Sequence, residues 1–491
     1  MVRGFSNSPS MEGKVKAIIF SLFLQVICLS GGSAKPLQYQ NLVLGTLPGP
    51  PTHNRDLSWT ESSILSQLET AETSIETTLT VRLEHRDALA FNATPEALFQ
   101  LRLERDVTRV ETLSTMAAGS RNATRVHSKN SSFSSSIISG LSQGSGEYFT
   151  RLGIGTPPKY LYMVLDTGSD IVWIQCAPCR KCYTQSDPIF DPKKSGSFAV
   201  VPCSSPLCRR LDMSGCSQQR LCLYQVSYGD GSFTVGDFST ETLTFRGTKV
   251  GNVALGCGHD NEGLFVGAAG LLGLGRGRMS FPSQTGRRFG RKFSYCLVDR
   301  QSSGSKLSSA VFGESSVPRS AVFTPLLTNP KLDTFYYIEL TGISVGGVPV
   351  PGITASMFRL DATGNGGVII DSGTSVTRLT RPAYIALRDA FLAGAQLKRA
   401  PGFSMFDTCY DLSGKSVVKV PTVVIHFGGG ANLALPAANY LIPVDTNGTF
   451  CFAFAGTTSG LSIIGNIQQQ GFRVVFDGAG SRIGFSPNGC A

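Results

Sequence analysis

Two short stretches of the sequence follow one pattern and constrain the fold most. Residues 164–169 read Val-Leu-Asp-Thr-Gly-Ser, and residues 369–374 read Ile-Ile-Asp-Ser-Gly-Thr. The apolar run favours a buried strand, the glycine lets the backbone turn sharply, and the hydroxyls can hold a carboxylate by hydrogen bonds. A single copy would also suit an ordinary turn. Two copies predict that Asp166 and Asp371 lie in similar loops.

The surroundings of the two motifs are also repeated. Before Asp166, residues 147–155 read as a strand that runs into a Thr-Pro-Pro turn and then into a second strand. Before Asp371, residues 335–347 again read as a tyrosine-containing strand followed by a glycine turn. The repeat predicts two homologous β-rich lobes, each of which donates one aspartate.

The composition favours a packed, strand-rich protein. A chain of 491 residues is long enough for two or three domains, and 41% hydrophobic with 16% charged residues describes a globular chain. The 55 glycines and 25 prolines favour many turns between short strands. We therefore expect mostly β-structure.

The cysteines are unevenly placed. Of thirteen, Cys28 stands alone, and the other twelve all lie from Cys176 onward. An even number in a globular region predicts six disulfides, whose connectivity the sequence alone does not choose. Zinc is the alternative, because Cys176, Cys179 and Cys182 are closely spaced, but none of the five histidines lies at ligand spacing beside them.

Residues 1–34 read as a secretory signal peptide. Lys14 and Lys16 precede the apolar residues 17–29, which end in a run of small residues. The apolar stretch is too short for a comfortable membrane span, no other segment approaches that length, and the C-terminus lacks a lipid-anchor signal. Secretion to the cell wall or apoplast is expected, with chloroplast or vacuolar targeting as the alternatives.

Residues 35–143 differ from the rest, since they lack cysteine and are rich in Ser, Thr and Glu. Thr94 as N-cap and Pro95 in the first turn predict a helix over residues 97–113. Its expected apolar face consists of Leu103, Val107 and Val110. This looks like a removable or accessory segment.

A Ser- and Asn-rich stretch over residues 120–145 predicts an exposed linker, where proteolytic cleavage concentrates. Four N-x-S/T sequences are candidate glycosylation sites, three of them in this half of the chain. They are Asn92, Asn122, Asn130 and Asn447.

The net charge of +10 is carried by the later part of the chain. Residues 35–140 hold 10 basic and 11 acidic side chains, whereas residues 141–491 hold 31 basic and 22 acidic ones, a net charge of +9. The basic clusters are no longer than Arg287-Arg288 or Lys398-Arg399, and no nucleic-acid-binding module is recognisable. Attraction to acidic cell-surface polymers is the preferred interpretation, and specific nucleic-acid binding is not expected.

Together, the two aspartate motifs, Trp173 and the Tyr-Gly-Asp-Gly-Ser sequence of residues 228–232 resemble the pepsin-like aspartic proteases over residues 146–491. The cysteine-dense insertion between Cys176 and Cys222 resembles their nepenthesin-like plant branch. The resemblance implies an all-β, bilobal acid-protease fold with a cleft between the lobes. The implied domains are a signal peptide (1–34), a propeptide (35–143), an N-terminal lobe (144–330) and a C-terminal lobe (331–491).

The resemblance also implies roles for the motif residues. Asp166 and Asp371 would hold a water, one as general base and the other as general acid, because two adjacent carboxylates share one proton. Ser169 and Thr374 would hydrogen-bond the outer carboxylate oxygens, and Thr167 and Ser372 would brace the loops that turn at Gly168 and Gly373. Residues 226–235 would form a flap hairpin, with Tyr228 and Gly229 over the cleft and Tyr228 bonded toward Trp173.

Six disulfides are implied by the nepenthesin-like pattern rather than by the spacing. They are Cys176–Cys179, Cys182–Cys257, Cys203–Cys222, Cys208–Cys216, Cys296–Cys490 and Cys409–Cys451.

The expected activity is that of a secreted aspartic endopeptidase, made as a zymogen, that hydrolyses extended polypeptides at acidic pH. It would act as a monomer without a metal, an organic cofactor or a membrane partner. Its own propeptide would inhibit it through a basic residue, for which Arg102, Arg105 and Arg109 on the helix are candidates. The alternatives are a catalytically silent binding or inhibitor protein of the same fold and a chloroplast protease with DNA affinity.

Overall fold

The computed structural model describes residues 1, 36–47, 78–89, 93–118, 148–228, 232–263, 265, 267–298, 308–487 and 489–490. Several of the expected features lie outside these residues: nearly all of the signal peptide with Cys28, the linker, and the flap residue Gly229. The same holds for three of the glycosylation candidates, Asn92, Asn122 and Asn130.

The described residues before position 119, called the N-terminal segment below, form two strands and one long helix. These are β1 (Tyr39–Val43), β2 (Leu79–His85) and α1 (Pro95–Ala117).

The first lobe is built of short strands and two single-turn helices. Its strands are β3 (Tyr148–Ile154), β4 (Lys159–Asp166), β5 (Trp173–Gln175), β6 (Ala199–Val200), β7 (Ser214–Cys216), β8 (Cys222–Ser227), β9 (Phe233–Phe245), β10 (Thr248–Glu262), β11 (Gly270–Gly273), β12 (Lys292–Cys296), β13 (Ser308–Phe312) and β14 (Val322–Leu327). Its helices are α2 (Phe281–Gln284) and α3 (Gly286–Phe289).

The second lobe is built in the same way. Its strands are β15 (Tyr337–Ile338), β16 (Leu340–Val345), β17 (Val348–Pro349), β18 (Val368–Ile370), β19 (Thr377–Thr380), β20 (Arg399–Ala400), β21 (Cys409–Asp411), β22 (Val417–Pro421), β23 (Val423–Phe427), β24 (Asn432–Leu435), β25 (Leu441–Pro443), β26 (Thr449–Phe452), β27 (Phe454–Thr457), β28 (Ser462–Ile464), β29 (Arg473–Asp477) and β30 (Arg482–Ser486). Its helices are α4 (Arg381–Gly394) and α5 (Asn466–Gln469).

The strands that end at the two aspartate motifs are paired alike. In the first lobe β4 lies parallel to β11, and in the second β18 lies parallel to β28. Strand β4 also pairs antiparallel with β3, and strand β18 pairs antiparallel with β15, an earlier strand of its own lobe. The prediction of a mostly β chain with two homologous lobes is confirmed.

A six-stranded antiparallel sheet joins the lobes in the order β2-β13-β12-β29-β30-β14. Its core is aromatic: the rings of Phe293 and Phe476 stack at 4.5 Å, and Phe312 packs against Phe293 at 5.7 Å. Strand β2 fits the edge of this sheet because Leu79, Val81 and Leu83 alternate with more exposed residues. Through β2, the N-terminal segment thus contributes one edge strand to the central sheet.

Strand β1 docks elsewhere, on the second lobe. It pairs antiparallel with β22, from Tyr39 opposite Pro421 to Val43 opposite Val417. Leu42 is 2% exposed and joins the main core. Neither β1 nor β2 was expected from the sequence.

Helix α1 is longer than expected and buries a different face. The Thr94 hydroxyl accepts a hydrogen bond from the Ala97 amide (3.2 Å), as an N-cap should. The prediction that Val107 lies on the buried face is wrong, because Val107 is 42% exposed. The buried face instead carries charged as well as apolar residues, since it covers polar groups of the lobes. Its charged members are Arg102, Arg105, Asp106 and Arg109.

Four of the six expected disulfide pairings are wrong. The structure contains Cys176–Cys257, Cys179–Cys182, Cys203–Cys216 and Cys208–Cys222 in place of the pairings Cys176–Cys179, Cys182–Cys257, Cys203–Cys222 and Cys208–Cys216. Cys296–Cys490 and Cys409–Cys451 are present as the resemblance implies.

Strand pairing and burial explain the difference. Strands β5 and β10 run side by side with Ile174 opposite Cys257, which brings Cys176 within 5.3 Å (Cα to Cα) of Cys257. Buried cysteines pair with buried ones: Cys208 and Cys222 lie in the core of the first lobe. The more exposed Cys203 and Cys216 pair with each other.

Candidate active site

The two aspartates lie where their strands end, and both are 1% exposed. Asp166 is the last residue of β4, and its carbonyl accepts a hydrogen bond from the Leu274 amide (2.8 Å). Asp371 directly follows β18, and its amide donates to the Ile464 carbonyl (3.2 Å). The parallel partner strands β11 and β28 therefore hold the two motifs in equivalent positions.

Hydroxyl groups connect the two motifs. The hydroxyls of Thr167 and Ser372 lie 3.2 Å apart, and the Ser372 amide donates to Thr167 Oγ1 (3.0 Å). Thr167 Oγ1 also lies 3.3 Å from Asp371 Oδ1. Thr374 Oγ1 donates to Asp371 Oδ2 (2.6 Å), and the Gly168 amide donates to Asp166 Oδ1 (2.9 Å). These contacts fix both carboxylates.

Ser169 does not make the contact expected of it. Its hydroxyl is buried and has no hydrogen-bond partner among the residues that the structure describes. The Asp166 carboxylate is instead bound by Arg109 through both of its oxygens and by the Gly168 amide.

Arg109 of helix α1 binds both aspartates at once. Its Nη2 atom lies 2.5 Å from Asp166 Oδ1 and 2.8 Å from Asp371 Oδ1. Its Nη1 atom lies 3.2 Å from Asp166 Oδ2, and its Nε atom lies 3.0 Å from Asp371 Oδ2. A planar guanidinium suits such a fork, because it presents several donors in fixed directions.

Two glycines make room for this guanidinium. A Cβ atom at Gly168 would lie 2.5 Å from Arg109 Nη2, and one at Gly373 would lie 2.7 Å from Arg109 Cζ. Any side chain at either position would collide with the bound arginine. The glycine of each motif therefore serves close approach to the carboxylates.

The charges of this cluster shift its ionisation. Burial alone would raise the pKa of the Asp371 carboxyl, but the charge and hydrogen bonds of Arg109, together with hydrogen bonds from Thr374 and the Gly373 amide, outweigh burial and lower it below its ordinary value. Burial would likewise lower the pKa of the Arg109 guanidinium, whereas Asp166 and Asp371 raise it well above its ordinary value. The cluster thus favours its ionised form.

The other two candidate arginines bind within the N-terminal segment. Arg102 Nη2 forms a short ion pair with Asp87 Oδ2, and Arg105 Nη2 lies 3.5 Å from Asp87 Oδ1. His85, at the end of β2, lies 3.7 Å from the same carboxylate. This cluster joins the helix to strand β2, so Arg109 alone of the three reaches the aspartates.

Asp106, one turn before Arg109, binds the second lobe. Its Oδ1 accepts hydrogen bonds from the backbone amides of Ser375 (2.5 Å) and Val376 (3.0 Å). Its Oδ2 lies 2.5 Å from Arg378 Nη2. Sequence reasoning missed Asp87, Asp106 and Arg378; for Asp106 alone a signal was present, because it lies four residues after Arg102 and three before Arg109 on the predicted helix.

The hairpin of β8 and β9 lies beside the first lobe's core. Val226 pairs with Thr234, and the Tyr228 amide donates to the Ser232 carbonyl (2.8 Å). Trp173 Nε1 donates to Tyr228 Oη (2.8 Å), the contact expected of the flap.

Neither metals nor membrane spans are indicated in the part of the chain that the structure describes. Within it, no group of three or more His, Cys, Asp or Glu side chains could hold a metal ion. No described helix is long and apolar enough to cross a membrane.

A two-lobed β-fold with one buried aspartate from each lobe defines the class of aspartic proteases. Family models described as "Xylanase inhibitor N-terminal" and "Xylanase inhibitor C-terminal" match residues 148–314 and 335–487. Aspartyl protease family protein 2 of Arabidopsis thaliana is 65% identical over 98% of this chain and 100% of its own length. Aspartic proteinase nepenthesin-1 of Nepenthes gracilis is 40% identical over 84% of this chain and 90% of its own.

The chain therefore belongs to the nepenthesin-like plant branch of the pepsin-like aspartic proteases and is an aspartic endopeptidase. Two solved structures share its fold. One, described as edgp, is 22% identical with a TM-score of 0.58, and covers 69% of this chain and 91% of its own. The other, basic 7S globulin from soybean, is 20% identical with a TM-score of 0.55, and covers 69% of this chain and 92% of its own.

Proposed function

We propose that this chain is the zymogen of a secreted acid endopeptidase in which Asp166 and Asp371 activate a water molecule and the N-terminal segment blocks them. The observation that carries the proposal is the guanidinium of Arg109, which binds both carboxylates at once. A water held between the carboxylates would need the oxygens that Arg109 occupies. The segment therefore acts as a propeptide.

The dyad works once Arg109 has left. Two buried carboxylates close together cannot both stay ionised, so they share one proton. The ionised carboxylate takes a proton from the water while the water oxygen attacks the peptide carbonyl carbon. At the same time the protonated carboxyl group donates its proton to the carbonyl oxygen. The C–N bond then breaks as the first carboxylate passes the water's proton to the amine nitrogen and the second takes back a proton from a gem-diol hydroxyl, which leaves a carboxylic acid, an amine and the dyad in its starting state.

Acid would open the zymogen. Because Arg109 lowers the pKa of Asp371, this contact stabilises the closed form at pH values above the ordinary carboxyl pKa. The stabilisation is lost as the pH falls through the lowered pKa that Asp371 has in the closed form. The closed form is thus stable near neutral pH, and acidification releases the helix.

The cleft suits an extended polypeptide. The β8–β9 hairpin, anchored by the Tyr228–Trp173 hydrogen bond, is the flap that closes over it. An extended peptide would lie beneath this hairpin, with its side chains alternating between the two sides of the cleft.

A pair of matched substitutions tests the dyad. The unprocessed chain is acidified, processing is followed by gel, and cleavage of a peptide that pepstatin protects is measured. Asp166→Asn and Asp371→Asn are each expected to lose activity by roughly 100-fold or more, the usual contribution of general acid–base catalysis. Asp389→Asn, an exposed residue of α4, is the control and should retain it. Retained activity in either dyad variant would contradict the mechanism.

Catalytically silent binding is the second candidate function, because the matching family models are described as xylanase inhibitor domains. The intact hydroxyl contacts between Thr167, Ser372 and Thr374 favour hydrolysis instead. Lack of peptide cleavage by the acid-processed wild type would favour the binding function.

The localisation needs its own test. The N-terminal leader of this chain, fused to a reporter and followed in cells, distinguishes secretion from the chloroplast alternative.

A further inference from the structure

The carboxylate of Asp106 occupies a built anion site on the second lobe. Asp106 is 2% exposed, and its oxygens accept from two backbone amides, those of Ser375 and Val376, and from the guanidinium of Arg378. All three donors belong to the second lobe and follow Asp371 closely in the chain. Charge-assisted hydrogen bonds of this kind are among the strongest that proteins make.

The site lies beside the dyad. Asp106 and Arg109 are three residues apart on α1, so their side chains lie on one face, about 4.5 Å apart along the helix axis. Arg109 fills the position between the aspartates, and Asp106 fills the neighbouring position toward the second lobe. A substrate in extended form rises about 3.3 Å per residue, so this position corresponds to roughly one to three residues from the scissile bond.

The second lobe itself orients Arg378. Its Nη1 atom donates to the Val376 carbonyl (3.1 Å), and its Nη2 atom lies 3.0 Å from Met405 Sδ. These partners stay when the N-terminal segment leaves. Among the described residues the one ion pair of Arg378 is with Asp106, so removal of the N-terminal segment would leave this cation and the two amides without their carboxylate.

We propose that these three groups form a subsite that selects an acidic side chain of the polypeptide substrate. The proposal rests on the proposed function, because it requires the N-terminal segment to leave the cleft. In this view Asp106 occupies the subsite as a substrate side chain would, while Arg109 blocks the dyad. An aspartate or glutamate at the matching substrate position would replace the Asp106 carboxylate.

The preference has a characteristic pH dependence. A substrate carboxylate must be ionised to gain from Arg378, and its ordinary pKa is about 3.9 for Asp and 4.3 for Glu. Selection is therefore strongest in the upper part of the acidic range and weakens toward about pH 3. An amide side chain of the same shape lacks the charge at every pH.

The test uses the acid-processed enzyme and matched fluorogenic peptides that carry Asp or Asn at each of three positions on either side of the scissile bond. At one position we expect kcat/KM for the Asp peptide to exceed that for the Asn peptide by about tenfold at pH 5, and the ratio to fall toward one at pH 3. In Arg378→Gln the pH 5 ratio should fall to about one. Arg378→Lys keeps the charge without the fork and should retain part of the ratio.

Arg381→Gln, which removes an exposed charge nearby, is the matched control and should keep the wild-type ratio. A wild-type ratio near one at pH 5 for all positions, or a ratio that survives in Arg378→Gln, overturns the proposal. If Arg378→Gln does not accumulate as folded protein, the wild-type pH profile and Arg378→Lys decide. Cleavage of neither peptide by the wild type is a failure of the proposed function and is distinguishable from both outcomes.

Discussion

Replacing Arg109 should open the cleft without acid. Arg109→Ala removes four close nitrogen–oxygen contacts and leaves two buried carboxylates facing each other without a counterion. Breaking a buried ion pair by removing one partner costs about 3–5 kcal/mol. Since each 1.4 kcal/mol is a factor of ten, the closed form should lose stability by roughly 140- to 3,700-fold relative to the open form.

Binding of fluorescent pepstatin to the unprocessed chain measures this opening directly. The wild type should bind only after acidification, because protonation of Asp371 removes the contact that stabilises the closed form. Arg109→Ala should bind at clearly higher pH. Arg109→Lys should lie between the two, because it keeps the charge but loses the fork.

Val107→Ala is the matched control, since Val107 lies on the exposed face of the same helix and should not change the binding midpoint. If the pH at which half of the chain binds pepstatin were the same for Arg109→Ala as for the wild type, this account of the closed form would be wrong. The closed form would then be maintained by other contacts of the N-terminal segment, and Arg109 would not contribute to its stability.

Three further predictions follow from the same segment and from the disulfides. Asp87→Asn removes the charge that Arg102 and Arg105 share, so urea unfolding of the unprocessed chain should show a loss of about 3–5 kcal/mol, and the processed enzyme should be unaffected. Leu42→Ala should destabilise the unprocessed chain by about 2–5 kcal/mol because Leu42 is buried against the second lobe, whereas Val43→Ala, at a residue 69% exposed, should change little. Non-reducing peptide mapping should recover the crosslinks Cys176–Cys257 and Cys208–Cys222; recovery of Cys182–Cys257 would contradict the structure.

The sequence predicted those features that depend on local pattern. The Asp-hydroxyl-Gly-hydroxyl motifs could be recognised because an apolar strand, a glycine and two hydroxyls are contiguous at Asp166 and again at Asp371. The helix N-terminus was likewise readable from Thr94 and Pro95. Each of these signals lies within a few residues.

Features that depend on distant packing were not readable. Val107 fits a helical apolar stripe, but α1 buries a different face, on which Asp106 and Arg109 lie among apolar residues such as Leu103. Cys176 lies three residues from Cys179, yet the pairing of β5 with β10 brings it to Cys257, 81 residues away. Strand β1 could not be foreseen because its partner β22 is even more distant in the chain: Val43 pairs with Val417, 374 residues away.

The contacts of the N-terminal segment divide by chemistry. Helix α1 packs on the second lobe through buried apolar residues, and it is also held by carboxylates, since Asp87, Asp106, Asp166 and Asp371 all accept from arginines in the described structure. Strand β1 is held by its ladder with β22 and by the Gln40 side chain, which donates to the Leu435 carbonyl and to Tyr440 Oη.

None of these β1 partners is a carboxylate, so acid should weaken the carboxylate contacts of helix α1 and spare the strand. Hydrogen exchange of the wild-type unprocessed chain, sampled before self-cleavage sets in, should therefore show the amides of α1 losing protection at higher pH than those of β1. Simultaneous loss would mean that the segment leaves as one cooperative unit. Loss in the order expected would leave the open segment tethered to the second lobe, from which it could close again until the linker is cut.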